Sequence, residues 1–268
     1  MNIIGLVKFV PDPDSPNFNS GLDADSNRRD NENAWMTLNP DDACALACAL
    51  KMRVCTPDCF IEVVSMGSLS VRPHMEDLLR LNIDRGTLIA DPVFDGSSSF
   101  VTSEVLSRYI QTRSFDCLLT GSLSLDRGAS CVPVHVAETV GLNQMLGITR
   151  IDTGQFDHTR AVFDVADDKT VTTYEMEMPG VLSLTRESGY KLPYIKLTDM
   201  QRDVSDELII ITSSTLGFSD TEVGLTGSLT RGVKRFPKTL EKKARRLTPN
   251  NDEGIHYVFE FLKEKGFL

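Results

Sequence analysis

The sequence predicts an α/β fold, a parallel sheet with helices on both faces, extended by an antiparallel strand addition and a C-terminal arm. Three observations carry this expectation. Short Val-, Ile- and Leu-rich runs recur at Ile3–Val7, Phe60–Ser65, Thr87–Ala90 and Cys117–Thr120. Segments with apolar residues three and four apart lie between them, the spacing of crossover helices. From about Gly147 the rhythm changes to consecutive strand-like runs parted by turn residues.

Each element follows from local chemistry. The first run leads into a stretch rich in Pro, Asn, Asp and Ser, read as a long irregular or hairpin loop in which Trp35 marks an anchored part. Asn39 then stands at the cap of a helix with Pro40 at its first position and Asp41 and Asp42 in its first turn. Carboxylates suit the positive end of a helix there, and this helix is expected to run to about Arg53. The stretches "VRPHMEDLLRLNID" and "SSSFVTSEVLSRYIQTRS" read as two further helices. The runs "GITRIDTG", "TRAVFDVADD" and "KTVTTYEMEMPGVLSLT" read as the antiparallel addition. Beyond "ESGYKLPYIKLTD" the chain turns polar, and it ends in "DEGIHYVFEFLKEKGFL", a helix with apolar residues at i, i+3 and i+4. The expected division is a nucleotide-binding domain at 1–200 and an arm with its helix at 201–268, the latter docking on another domain or chain.

Composition excludes several function classes. With 268 residues and a net charge of −10, the chain carries too little positive charge for a nucleic-acid role, which rests on neutralising phosphates. No apolar run approaches the ~18 residues of a membrane span, and the first residues lack a secretory leader, so a cytoplasmic protein is expected. One basic stretch stands against this acidic background: Arg231, Lys234, Arg235, Lys238, Lys242, Lys243, Arg245 and Arg246 face only Glu241. It reads as a solvated arm or as a contact for an acidic partner or phosphate. Cys44, Cys48, Cys55 and Cys59 lie close together, but Cys44 and Cys48 are four apart on a small-residue helix, a packed face rather than a zinc knuckle.

The stretch "CLLTGSLSLDRGASCVPVHVAE" has the parts of a nucleotide loop. Gly121 permits close backbone approach, Asp126 accepts from ribose hydroxyls, Arg127 adds charge, and the amides of Gly128 to Val132 open the next helix. It is neither a Walker loop nor a G-x-G-x-x-G turn. The four histidines, His74, His135, His158 and His256, fall in unrelated settings. Asp126 as a general base and Cys131 as a nucleophile are the candidates for catalysis, and the economical reading is a protein that holds a cofactor and leaves the chemistry to it.

Several segments together resemble the β (small) subunit of electron-transfer flavoproteins. "IIGLVKFVPD" is similar to its first strand and turn, "LNPDDACALACALKM" to its Asn-Pro-x-(Asp/Glu) helix start, and "IEVVSMGS" to its second strand. The Gly121 loop through "LGITRI", the strand "MPGVLSLT" and the arm "VGLTGSLTRGVKRF" continue the match in the same order. The resemblance implies an adenine-nucleotide α-hydrolase-like (Rossmann-type) fold and a heterodimer whose larger α subunit carries the redox-active FAD. This subunit would hold AMP or, in electron-bifurcating members, a second FAD. It implies an electron carrier rather than a catalyst with its own acid and base, serving a flavin dehydrogenase of the acyl-CoA type.

Carried over by position, the implied nucleotide site comprises Leu6, Lys8, Asn39, Pro40, Met66, Gly67, Gly121, Ser122, Asp126, Arg127, Gly128, Ala129, Ser130, Cys131 and Val132. The loop departs from the family's Asp-Gly-Asp-Thr-(Gly/Ala)-Gln, keeping only the first Asp. Arg127 and the small residues at 128–130 suit a pyrophosphate, which favours FAD over AMP. The segment "SGYKLPYI" is similar to the family's dehydrogenase-docking loop and makes Tyr190, Leu192, Pro193 and Ile195 the docking residues, with Leu192 as anchor. The rival expectation is an ATP-binding or ATP-hydrolysing protein of the same α-hydrolase-like architecture or of the universal-stress class, although the Ser-Gly-Gly-x-Asp-Ser phosphate loop of the former is absent after the first strand.

Overall fold

A computed structural model describes residues 1–16, 35–56, 58–126, 128–230 and 247–268. The basic stretch 231–246, most of the loop after the first strand, and Arg127 lie outside the described residues. Two units are distinguished, Met1–Val233 and Lys234–Leu268.

In the first unit the chain runs through β1 (Asn2–Leu6), β2 (Phe9–Pro11), β3 (Met36–Leu38), α1 (Pro40–Cys55), β4 (Phe60–Met66), α2 (Arg72–Leu79) and β5 (Arg85–Ile89). It continues through α3 (Ser99–Ile110), β6 (Cys117–Gly121), α4 (Cys131–Val140), β7 (Asn143–Ile151), β8 (Arg160–Ala166) and β9 (Val171–Glu177). β10 (Gly180–Leu184), β11 (Leu208–Ile211) and the short α5 (Gly224–Gly227) complete it. The second unit contains α6 (Asp252–Glu264), opened by an Asn251 side chain that accepts from the Gly254 amide.

Nine strands form one sheet in the order β11-β5-β4-β1-β6-β10-β7-β8-β9, parallel from β11 through β7 and antiparallel from β7 to β9. This is the α/β class the sequence predicts, with the antiparallel extension at one edge. The chain moves outward from β1 to β4 and β5, then crosses back to β6 on the other side of β1. The carboxyl ends of β1 and β6 therefore diverge at a topological switch, the place where open α/β sheets hold ligands.

Alternation along β1 divides the core. Ile3 joins the layer that includes Leu46, Met52, Met75 and Leu79 from α1 and α2, whereas Ile4 joins Val101, Val105, Tyr109 and Val136 from α3 and α4. Burial on both faces is what a central parallel strand requires, and it explains runs without polar interruption. One polar cluster is built into this core. Glu62 on β4 accepts from the Thr87 hydroxyl at 2.8 Å and from the Tyr109 hydroxyl, while Arg113 approaches the same carboxylate at 3.7 Å.

Two expectations need correction. "KTVTTYEMEMPGVLSLT" is not one antiparallel segment: Pro179 separates β9 from β10, and β10 returns to the parallel sheet between β6 and β7. Proline has no ladder donor and marks the break. The wholly buried "GVLSL" has the character of an internal parallel strand, unlike the exposed β9. Similarly "LIII" at 208–211, in a stretch read as polar and turn-rich, is β11, paired in parallel with β5. Trp35 is anchored through its backbone, which bonds Asp12 and Ser15, while its ring is exposed.

Removing the carboxylate of the buried cluster leaves the Tyr109 and Thr87 hydroxyls and the Arg113 guanidinium short of a partner. Glu62→Ala is expected to destabilise the chain by about 3–5 kcal/mol, measured as a shift in urea midpoint at unchanged m-value.

Candidate functional site

At the switch point lies a cleft of about 490 Å³, within the range of roughly 300–1,000 Å³ usual for small-molecule sites. Its floor and sides come from the ends of four neighbouring strands: Leu6 of β1 with Val7 and Lys8 after it, Val64 and Met66 of β4 with Gly67 after it, Ala90 after β5, and Thr120 and Gly121 of β6. Leu6, Val64, Met66, Phe94, Leu106 and Val132 supply apolar surface, whereas Lys8, Asn39, Ser97, Ser99, Thr102 and Asp126 supply polar groups.

The start of α1 ties these strand ends together. Asn39 occupies the cap position, yet its side chain makes no bond to the helix's own amides. Instead its Nδ2 donates to the Leu123 carbonyl (2.9 Å) and its Oδ1 accepts from the Leu125 amide (3.0 Å), while its own amide donates to the Lys8 carbonyl (2.9 Å). Asp41 accepts from the Leu123 amide at 3.2 Å and from Arg186 Nε, just past β10, at 3.1 Å. Asp42 accepts from the Lys8 and Gly121 amides, both at 2.8 Å. The acidic first turn thus serves the loops of three strands. Burial pushes the Asp42 carboxyl up from 3.8 to about 7, with the neighbouring Asp41 adding to the rise and the amide donors opposing it.

Gly121 owes its identity to this junction. A Cβ at this position would lie 2.3 Å from Asp42 Oδ1 and 2.6 Å from the Asp42 amide nitrogen. The close approach is that of α1, rather than space kept open for a ligand.

Lys8 and Asp126 form an ion pair at the rim, with Nζ to Oδ2 at 2.7 Å, and Ser124 Oγ donates to the same carboxylate at 2.7 Å. With Lys8 nearly half exposed, such a pair contributes at most about 1 kcal/mol of stability; its effect is to hold the loop after β6 near the end of β1.

The residues singled out from sequence divide as follows. Leu6, Lys8, Asn39, Met66, Gly67, Gly121, Asp126, Ala129 and Val132 line the cleft. Pro40, Ser122, Gly128, Ser130 and Cys131 do not. Ser122 turns away, donating to the Ser183 carbonyl at 2.9 Å and accepting from the Gly147 amide at 3.0 Å. Gly128, with φ of 63°, spends its amide on the Ser124 carbonyl, so that donor does not open into the cleft. Arg127 lies outside the described residues.

Sequence reading missed the opposite wall, Asp91 to Ser99 with Thr102 and Leu106. The signal was present: Ala90 ends a parallel strand beside β4, and the "DPVFDGSSS" that follows has the turn and cap residues of a strand-to-helix loop. Asp91 is structural there, accepting from the Val93 amide and from the Ser213 amide and hydroxyl, which keeps its carboxyl below the usual range.

The cysteines line no common site. Cys44 and Cys48 lie on the packed face of α1, and burial pushes the Cys48 thiol up to about 12. No cluster of three or more metal-ligating side chains is present among the described residues.

In the segment read as a docking loop, Tyr190 and Leu192 pack against the core, and Tyr190 accepts from and donates to the backbone of Ile151. Pro193 is exposed and Ile195 half-buried, while the fully exposed apolar side chains here are Tyr194 and Leu197, at 98% and 87%.

Comparison with known proteins places this geometry in context. Residues 31–192 match the family model described as the electron transfer flavoprotein domain. The chain is 24% identical to the electron transfer flavoprotein subunit beta of Thermoanaerobacterium thermosaccharolyticum, over 99% of both chains. It is 23% identical to the caffeyl-CoA reductase-Etf complex subunit CarD of Acetobacterium woodii, over 100% of both. It is 24% identical to the acryloyl-CoA reductase electron transfer subunit gamma of Anaerotignum propionicum, over 99% of both.

Two outcomes follow from the α1 junction. Gly121→Ala is expected to lower stability by about 1–3 kcal/mol or more through overpacking, read by denaturant unfolding. Because the folded Asp42 carboxyl titrates near pH 7 and the unfolded one near 3.8, the native state holds an extra proton between those values. Stability is therefore expected to fall by up to about 1.4 kcal/mol per unit as pH rises from ~4 to ~7, and Asp42→Asn should flatten that slope. Carboxyls held low, such as Asp91 and Asp164, act below this window and in the opposite sense.

Proposed function

The chain belongs to the electron transfer flavoprotein domain family, and from that premise we propose that it is the small subunit of an electron-transferring heterodimer, holding an adenine nucleotide in the cleft at the β1–β6 switch. The observation that carries the reading is the coincidence of that cleft with the segments that resemble the family's nucleotide site, in a chain similar over nearly its full length to β subunits of the family.

The lining fits such a ligand. The apolar wall from Leu6, Met66, Leu106 and Val132 offers a face for a flat aromatic base, and polar atoms gather at the rim. Lys8 and the first turn of α4 would receive phosphate charge. Asp126 would share its oxygens between Lys8 and a ribose hydroxyl, since an ionised carboxylate accepts more than two hydrogen bonds. An isoalloxazine, where the nucleotide is FAD, supplies the electron-transfer chemistry; the chain's own residues bind, orient and shield it.

AMP with a single flavin in the larger subunit corresponds to a simple shuttle, and FAD in this cleft corresponds to electron bifurcation. Relatives named for caffeyl-CoA reductase and acryloyl-CoA reductase complexes support a reductase or dehydrogenase as the further partner. Its docking would use the segment 190–197, with Tyr194 and Leu197 presenting apolar surface and Leu192 holding the loop to the core.

Co-expression with the large subunit, denaturation of the purified complex and chromatography of the released cofactors test the reading. The expected result is one adenine nucleotide per chain beyond the large subunit's FAD. Substituting either wall, by Thr102→Arg or Val132→Arg, should empty the cleft and leave the other FAD in place; a complex with no second nucleotide would overturn the assignment. In the docking loop, Leu192→Ala is expected to lower the melting temperature, whereas Tyr194→Ala should slow electron exchange with the partner at unchanged melting temperature.

A further inference from the structure

Asp42 stands apart from the other carboxylates around the cleft. It is 5% exposed, lines the cleft, and has both oxygens engaged by backbone amides, of Lys8 and Gly121. Among the described residues it forms no ion pair.

Among the described residues, each charge that faces it is already committed or of the same sign. On its own helix, Asp41 adds negative charge and is bound by Arg186, and Cys44 is a thiol whose ionisation burial disfavours. From the segment after β1, Lys8 points its ammonium to Asp126. From the wall after β5, Asp91 and Asp95 face the same space. Lys8 is therefore the one cation among the described lining residues, and it is paired.

We propose that Asp42 takes up a proton from solvent when an anionic nucleotide enters the cleft, so that binding of the ligand and protonation of this carboxyl are one coupled event. The inference rests on the nucleotide reading above. An anion placed in a partly desolvated cleft beside a buried carboxylate without a counter-ion raises the energy of the ionised form, and a proton is the one charge that reaches so enclosed a group without rearranging the α1 junction. The Asp42 carboxyl, titrating near 7 in the free chain, is poised to accept it. Protonation also leaves lone pairs on both oxygens, so the Lys8 and Gly121 amides keep their acceptors.

The test uses the heterodimer, stripped of the nucleotide in this cleft by chaotropic salt and titrated calorimetrically with AMP in buffers of different ionisation enthalpy. At pH 8 the expected uptake is about one proton per AMP bound, falling away below pH 6, and the affinity should strengthen up to about tenfold per unit as pH drops from ~9 to ~7 before levelling. The AMP phosphate itself titrates near pH 6, so Asp42→Asn is the control: it should bind AMP with the uptake at pH 8 abolished. AMP binding without proton uptake, or uptake equal in Asp42→Asn, overturns the coupling and leaves the nucleotide reading standing. No binding of AMP, nor of FAD offered in its place, at any pH removes that reading and the coupling with it. Should the variant fail to assemble, the wild-type pH profile decides, since an affinity unchanged between pH 6 and 9 is incompatible with the proposal.

Discussion

The first turn of α1 is the constraint on which the rest of the first unit depends. The side chains of Asn39, Asp41 and Asp42 and the Asn39 amide reach into the loops after β1, β6 and β10. Capping residues ordinarily satisfy their own helix's orphan amides; here they satisfy other segments' amides instead, and Asn39 forgoes the local bond to do so. The loops that follow parallel strands have no ladder partners of their own, and buried backbone groups must be paired somewhere. The helix start performs that function for all three at once, which fixes the separation of the strand ends and so the shape of the cleft between them.

The parallel sheet makes such a junction necessary. Each of β1, β4, β6 and β10 is buried on both faces, by α1 and α2 on one side and α3 and α4 on the other. Side chains along these strands are therefore mostly apolar, and much of the polar chemistry is displaced to the strand ends. Burial by helices gives the sheet its stability and leaves its carboxyl edge as the region where Lys8, Asp126, Ser97, Ser99 and Thr102 gather. Glu62 is the buried charged residue along these strands, and with Thr87 and Tyr109 it is closed by hydrogen bonds.

Much of this was legible in the sequence. The four early strands, α1 and the terminal helix lie within a few residues of where apolar spacing and cap residues put them, because parallel strands and amphipathic helices carry their periods openly. β10 was read into the wrong partner set since periodicity reports that a strand is buried, not which strand lies beside it. β11 escapes the reading because its four residues stand in a polar, turn-rich stretch with no helix-patterned segment leading into them. At the site, the loop after β6 is legible from its Gly, Asp and Ser residues, whereas Leu6 and Lys8 at the end of β1 enter only through the resemblance. The wall after β5 is not among the residues expected, Ser122 spends its hydroxyl on protein rather than facing the cleft, and Gly121 lines the cleft while the space a side chain would take is filled by α1. Space filled by another segment is a property of tertiary packing that local sequence does not encode.

The hydroxyl of Ser228 joins that wall to a distant part of the chain, accepting from the Ser98 amide and donating to the Gly224 carbonyl. Ser213 and β11 reach the same wall through Asp91 and β5. The lining of the cleft ends at Pro133, yet the wall after β5 is also tied to residues beyond 208, and the α1 junction to Arg186. At synthesis rates of roughly 5–20 residues per second, seconds separate the two. The finished cleft is a late product of translation, and a nascent chain arrested before that return would carry β1 to β10 and α1 to α4 with one wall lacking its distal ties.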